Sequence, residues 1–116
     1  MGLFRKRGDQ AAEVETTTSR SGEEIVRDFL RAQNLEQVGR TEEAIELYER
    51  AVTERFDSSG PYDRLIVLYQ KQRRHHDVIR VAEASLQVVR TYPQKRVWYE
   101  TQLAEATQAL GSAIAD

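Results

Sequence analysis

Apolar positions recur at helical spacing in four successive segments of this chain, and the segments themselves recur. Ile25, Phe29, Ala32 and Leu35 fall on one face of a first helix, and Ala44, Ile45, Leu47, Tyr48, Ala51 and Val52 on one face of a second. A third stripe is Tyr62, Leu65, Ile66, Leu68 and Tyr69, and a fourth is Val78, Ile79, Val81, Ala82, Leu86 and Val89. An advance of 34 residues carries Ala44-Ile45 onto Val78-Ile79, Leu35 onto Tyr69, Val52 onto Leu86 and Asp28 onto Tyr62, without a gap. A helical period of this length is the mark of stacked helix-turn-helix units, each too small to bury its own apolar face. Val67-Leu68-Tyr69 is β-prone in isolation but lies inside a longer helical pattern, so the chain reads as all-α.

The polar positions punctuate these stripes. Ser21 followed by Glu24 forms a capping box, in which hydroxyl and carboxylate each bind a backbone N–H left free at a helix start. The first helix should end near Gly39, which suits a left-handed C-terminal cap. Thr41 is expected to cap the second helix, with Glu42 and Glu43 at the positive end of its dipole. Asp57-Ser58-Ser59-Gly60-Pro61 breaks the pattern, and Pro61 suits the first turn of the third helix. A turn through Arg73-Arg74-His75 leads to the fourth, and Arg73 stands where the first repeat has Gly39, at a cost if that position needs positive φ. Tyr92-Pro93 should close the fourth helix, and a fifth is expected from near Lys95 to near Gly111. Residues 1–20 carry few large apolar side chains beyond Leu3, Phe4 and Val14, which predicts a flexible tail ahead of a domain over 21–116.

Composition narrows the function classes. A net charge of −2 gives no reason to expect nucleic acid as a partner. The chain has no cysteine, which excludes disulfides, thiolate catalysis and cysteine metal sites. No apolar run approaches a membrane span, and M-G-L-F-R-K-R is followed by no signal-peptide core. Lys6 occupies the place where N-myristoylation of Gly2 requires Ser or Thr. The expected location is cytoplasmic.

The repeated segments resemble the tetratricopeptide repeat (TPR) family, whose unit is two antiparallel helices in 34 residues. Repeat one, over 25–58, matches the family pattern at Ala32, Gly39, Ala44, Tyr48 and Ala51, and departs from it at Asp28, Arg31 and Phe56. Repeat two, over 59–92, matches at Tyr62, Leu65 and Tyr69, and departs at Ile66, Arg73, Val78 and Ala82. Gly111 aligned with Gly39 puts Leu103 and Ala104 at the family's Leu–small pair after a four-residue insertion, about one turn, that a longer fourth helix would absorb. The segment 95–111 then serves as a capping helix. The resemblance implies a short right-handed superhelical solenoid of five helices, with the first helix of each repeat lining a concave groove.

Groove positions carried over from the resemblance are Val26, Phe29, Gln33, Glu36 and Gln37 in repeat one, and Asp63, Val67, Gln70 and Lys71 in repeat two. Trp98, Thr101 and Glu105 follow on the last helix. Phe29, Val67 and Trp98 would form an apolar line for a helical or extended segment with one or two large anchors; alternatively they pack against a neighbouring helix. Phe29 and Gln33 stand where some family members carry a Lys/Asn clamp for C-terminal carboxylates, so that activity is not expected. The function expected is a protein-interaction adaptor without cofactor or metal, its partner another protein or peptide segment, with a homodimer as an open alternative.

Two basic clusters offer a different reading. Lys71, Arg73, Arg74, His75 and His76 form a basic turn that could meet phosphate, RNA or an acidic peptide, although no aromatic residues interleave with the charges. Arg5-Lys6-Arg7 beside Leu3 and Phe4 could touch an anionic membrane, and any such contact would be peripheral. The runner-up is therefore an RNA- or anionic-lipid-associated accessory protein. Glu42, Glu43, Glu46 and Glu49 read as the wet face of an amphipathic helix, and adjacent His75 and His76 point different ways, so neither set suggests an enzyme or a metal site.

Overall fold

Helix signals in the chain translate into five helices and, among the described residues, no strand. The structure is a computed structural model that describes residues 21–90 and 92–115, with side chains to 112. The tail expected over 1–20, with its Arg5-Lys6-Arg7, lies outside the described residues. In chain order the helices are α1 (Gly22–Gln37), α2 (Thr41–Thr53), α3 (Gly60–Lys71), α4 (His75–Val88) and α5 (Pro93–Ala115). Each packs chiefly against the helices that precede and follow it in sequence.

The apolar stripes meet in one core. Ala32, Ala44, Tyr48, Tyr62, Leu65, Ile66, Val78, Val81 and Ala82 are fully buried, and Tyr99 and Ala106 of α5 close its far side. Phe29, Leu47, Val52, Ile79, Leu86, Trp98 and Leu103 pack half-buried around it. The Phe29 ring lies 5.8 Å from the Tyr48 ring and covers Gly60, where an added Cβ would stand 2.7 Å from the Phe29 Cζ.

The two turns within the pairs α1–α2 and α3–α4 repeat bond for bond. Gly39 N–H donates to the Glu36 carbonyl at 3.0 Å, and Arg73 N–H to the Gln70 carbonyl at 3.0 Å. Arg40 N–H donates to the Leu35 carbonyl at 2.8 Å, and Arg74 N–H to the Tyr69 carbonyl at 2.9 Å. Gly39 has φ +85° and Arg73 φ +57°, so the arginine holds the left-handed conformation that its glycine counterpart adopts freely.

Local chemistry departs from expectation at three places. Thr41 is the first helical residue of α2 rather than its cap; Arg40 takes the N-cap position without a side-chain cap bond, and its guanidinium grips Glu43 at 2.6 and 2.7 Å. Arg74 repeats this at α4, with Nε 3.0 Å from Asp77. An acid in the first turn thus holds the entering cation, in place of a hydroxyl on a backbone N–H. Secondly, Val89, not Tyr92-Pro93, caps α4 in extended conformation, and Pro93 instead opens α5. With 14 residues against 13 in α2, α4 is not lengthened by a turn. Thirdly, α5 continues through Gly111 to Ala115, since a helical glycine costs only about 1 kcal/mol. The Ser21–Glu24 capping box is present with both bonds at 3.1 Å.

Two stability predictions follow from backbone geometry. Arg73→Gly removes the steric cost of a side chain at positive φ and is expected to raise unfolding free energy by about 1 kcal/mol in urea titration. Gly60→Ala forces the Phe29 ring off the α3 start and is expected to lower it by about 1–3 kcal/mol; an unchanged midpoint would show that the ring moves freely.

Candidate functional site

The side of the molecule formed by α1, α3 and α5 carries most of the groove positions read from sequence, and polar contacts tie those helices together. Glu36 of α1 accepts from Arg64 of α3 through Nε at 3.1 Å and Nη2 at 2.6 Å. Asp63 of α3 accepts from the Tyr99 hydroxyl at 2.8 Å and pairs with the Lys95 ammonium at 2.7 Å, both on α5. The Gln70 side chain hydrogen-bonds that of Gln102 further along α3 and α5. Gln33, Glu36, Gln37 and Arg64 line an open cleft of about 220 Å³. A second, of about 170 Å³, lies between Gln70, His75, Val78, Glu105 and Ala106.

The apolar line behaves differently. Phe29 and Trp98 pack against the core, Phe29 on Tyr48 and Trp98 beside Tyr99, with ring centroids 5.6 Å apart in the second pair. Lys95 Nζ sits 4.9 Å above the Trp98 ring, so one face of the indole is already engaged by a cation. Val67 is half-buried. Val26, Gln37, Gln70, Lys71, Thr101 and Glu105 are exposed. This face is thus mainly amide and charge, with the Phe29 and Trp98 rings turned inward and Val26 left open.

One arrangement, not visible in the periodicity, recurs three times: a carboxylate shared by a tyrosine hydroxyl and a cation. Glu36 accepts from Tyr48 of α2 as well as from Arg64. Glu49 of α2 accepts from the Tyr69 hydroxyl of α3 and from Arg80 of α4 at 2.7 and 3.1 Å. Asp63 takes Tyr99 and Lys95. Each carboxylate therefore reaches the helix two further on. Glu49, expected on the wet face with Glu42, Glu43 and Glu46, turns inward toward Tyr69 and Arg80 while the other three stay exposed. The signal was a tyrosine whose hydroxyl needed a partner once its ring was buried.

Electrostatics follow from this. Burial, then the adjoining carboxylate, raises the pKa values of Tyr48, Tyr69 and Tyr99 above 10.0, so the hydroxyls remain donors throughout the neutral range. Burial alone would raise that of Glu36. Hydrogen bonds from Arg64 and Tyr48, with the charges of Arg64 and Lys71, outweigh it and hold the carboxyl below 4.5. Asp77 is likewise held below 3.8, burial being outweighed by bonds from Arg80 and Arg74.

The basic turn is partly spoken for. Arg74 bonds Asp77 and Gln72 and lies 4.5 Å over the Tyr69 ring. His75 is half-buried in the first turn of α4, whereas Lys71, Arg73 and His76 are exposed. Among the described residues no group of three or more His, Asp or Glu side chains is placed to hold a metal ion, and no helix is long and apolar enough to cross a membrane.

Comparison of the chain with protein-family models, with curated proteins and with solved structures finds no match.

Glu36→Gln is expected to cost about 1–3 kcal/mol at neutral pH, because Arg64 loses its counter-charge inside a part-buried contact. The folded pKa of Glu36 lies below the unfolded value near 4.5, so its contribution is complete above that value and disappears as pH falls through the lower, folded one. Urea midpoints of parent and variant should converge as the solution is acidified through that window; a gap that persists in strong acid would mean the ion pair is not its source.

Proposed function

We propose that this chain is a small helical-repeat adaptor of the TPR type, without enzymatic activity, that binds an extended or helical segment of another protein along the face of α1, α3 and α5. The observation that carries this reading is the continuity of that face. Three helices non-adjacent in sequence are linked there by side-chain contacts, Glu36–Arg64, Asp63–Lys95 and Gln70–Gln102. The bond-for-bond recurrence of the turns at Gly39 and Arg73 supports a repeat architecture.

The surface chemistry favours backbone recognition over a deep apolar anchor. Gln33 and Gln37 stand one helical turn apart at the Arg64 cleft, and each amide offers a donor pair and an acceptor suited to a peptide group. Lys71 adds positive charge, while Glu36 and Asp63 are neutralised by Arg64 and Lys95. The segment best suited carries polar or acidic side chains and small apolar ones.

Photo-cross-linkers placed singly at Gln37 and Lys71 should capture the same partner segment, and at Glu83 and Gln87 of α4 should not. Gln33→Ala with Gln37→Ala should then weaken that complex at least ~10-fold, about 1.4 kcal/mol. Equal capture from α4 would place binding elsewhere and end the groove reading.

A further inference from the structure

The inward faces of α3 and α5 share a spacing but differ in what they carry. On α3 a buried pair seven residues apart is Tyr62 and Tyr69; on α5 it is Tyr99 and Ala106. Tyr69 fills its place with a ring whose hydroxyl reaches Glu49. Ala106 offers one methyl group, and it lines the open cleft of about 170 Å³ between α3, the start of α4 and α5. That space suits a single side chain and not a helix.

The lining converges from three helices. Val78 and Ala106, both buried, supply its apolar part. Around them stand Gln70 of α3, His75 of α4 and Glu105 of α5. Their free hydrogen-bonding capacity is mostly that of acceptors. Gln70 spends an amide N–H on Gln102 and keeps its carbonyl oxygen. The Glu105 carboxylate makes no ion pair or hydrogen bond among the described residues, and a neutral imidazole has one accepting nitrogen. The cations of the neighbouring turn are directed elsewhere. Arg74 is held by Asp77 and Gln72, and the charge of Lys71 acts on Glu36 at the other cleft. Arg73 and His76 are exposed outside the lining.

We propose that this cleft receives an arginine side chain from the segment bound along α1, α3 and α5, an assignment that rests on the reading of that face as a peptide groove. A guanidinium carries five N–H donors in one plane and no acceptor, which serves acceptors set on three helices better than the compact ammonium of lysine. Its methylene stem covers Val78 and Ala106 while the charged head stays at the rim beside Glu105. With Lys71 on the side of the first cleft, the groove has a cationic and an anionic end. The segment is thereby held in one direction, an acidic residue toward Lys71 and its arginine toward α5.

An NMR titration of the isotope-labelled full chain with N-acetyl-arginine amide tests the cleft without a partner. Amide shifts should centre on Gln70, His75, Val78, Glu105 and Ala106, with a dissociation constant on the order of millimolar for a ligand of this size. The citrulline derivative, a near-isostere without charge, and the lysine derivative should each bind at least ~10-fold more weakly. Glu105→Gln, at an exposed position, should weaken arginine binding by a similar factor, and Ala106→Leu, which fills the cleft, should abolish it. Circular dichroism of both variants should match the parent. Citrulline or lysine bound as tightly as arginine overturns the proposal, as do shifts centred elsewhere, affinity unchanged in Glu105→Gln, or no shift at tens of millimolar. The groove reading is judged separately, by capture at Gln37 and Lys71. A captured segment whose arginines can be replaced by alanine without loss of affinity overturns the arginine subsite and leaves the groove standing.

Discussion

Sharing of one carboxylate between a buried tyrosine and a distant cation is the constraint on which the stacking of these helices depends. Apolar burial joins each helix to its sequence neighbours, but the hydrophobic effect is non-directional and leaves the angle between successive pairs loosely set. Glu36, Glu49 and Asp63 supply direction. Each is held by a tyrosine hydroxyl and by a cation two helices on, so a change in the tilt of one pair against the next would break a charge-assisted bond inside a part-buried contact. Removal of one partner strands the other, which makes such contacts specifying as well as stabilising.

The same geometry accounts for the character of the α1–α3–α5 face. Glu36 and Asp63 are spent on Arg64, Tyr48, Lys95 and Tyr99, so these two acidic side chains carry little free charge. Phe29 is drawn inward by Tyr48 and by the bare backbone of Gly60, and Trp98 is covered by Lys95. What stays outward is mainly amide and charge, Gln37, Gln70, Lys71 and Glu105, with Val26 and Thr101 beside them and Gln33 half-buried. Such a face offers amide and ammonium groups for hydrogen bonding.

The turns show a second economy of the repeat. An arginine at each entering N-cap is gripped by an acid three residues later, Arg40 by Glu43 and Arg74 by Asp77, which directs the guanidinium along the helix start. The preceding residue is left-handed in both turns, although only one of the two is glycine. The fold thus retains the turn at the expense of strain at Arg73, which indicates that the path between α3 and α4 is fixed by packing and not by the turn residue.

By itself the sequence determined the helices, their order and their buried faces, because apolar spacing near the helical period is a local property that burial turns into structure. The Ser21 box, the left-handed Gly39 and Pro61 in the first turn of α3 were legible for the same reason, each being chemistry among residues a few positions apart. Only the tertiary structure decided where Glu36, Glu49 and Asp63 found their partners, since Tyr48, Tyr69, Arg64, Arg80, Lys95 and Tyr99 lie 12 to 36 residues away. It also decided between the two roles open to Phe29, which lies on the apolar stripe of α1 and was also a groove position, and it turned Trp98 toward the core beside Tyr99. An amphipathic pattern fixes which side of a helix is buried; the residues at its edge become site or core according to what the neighbouring helix presents, and that is settled only when the helices meet.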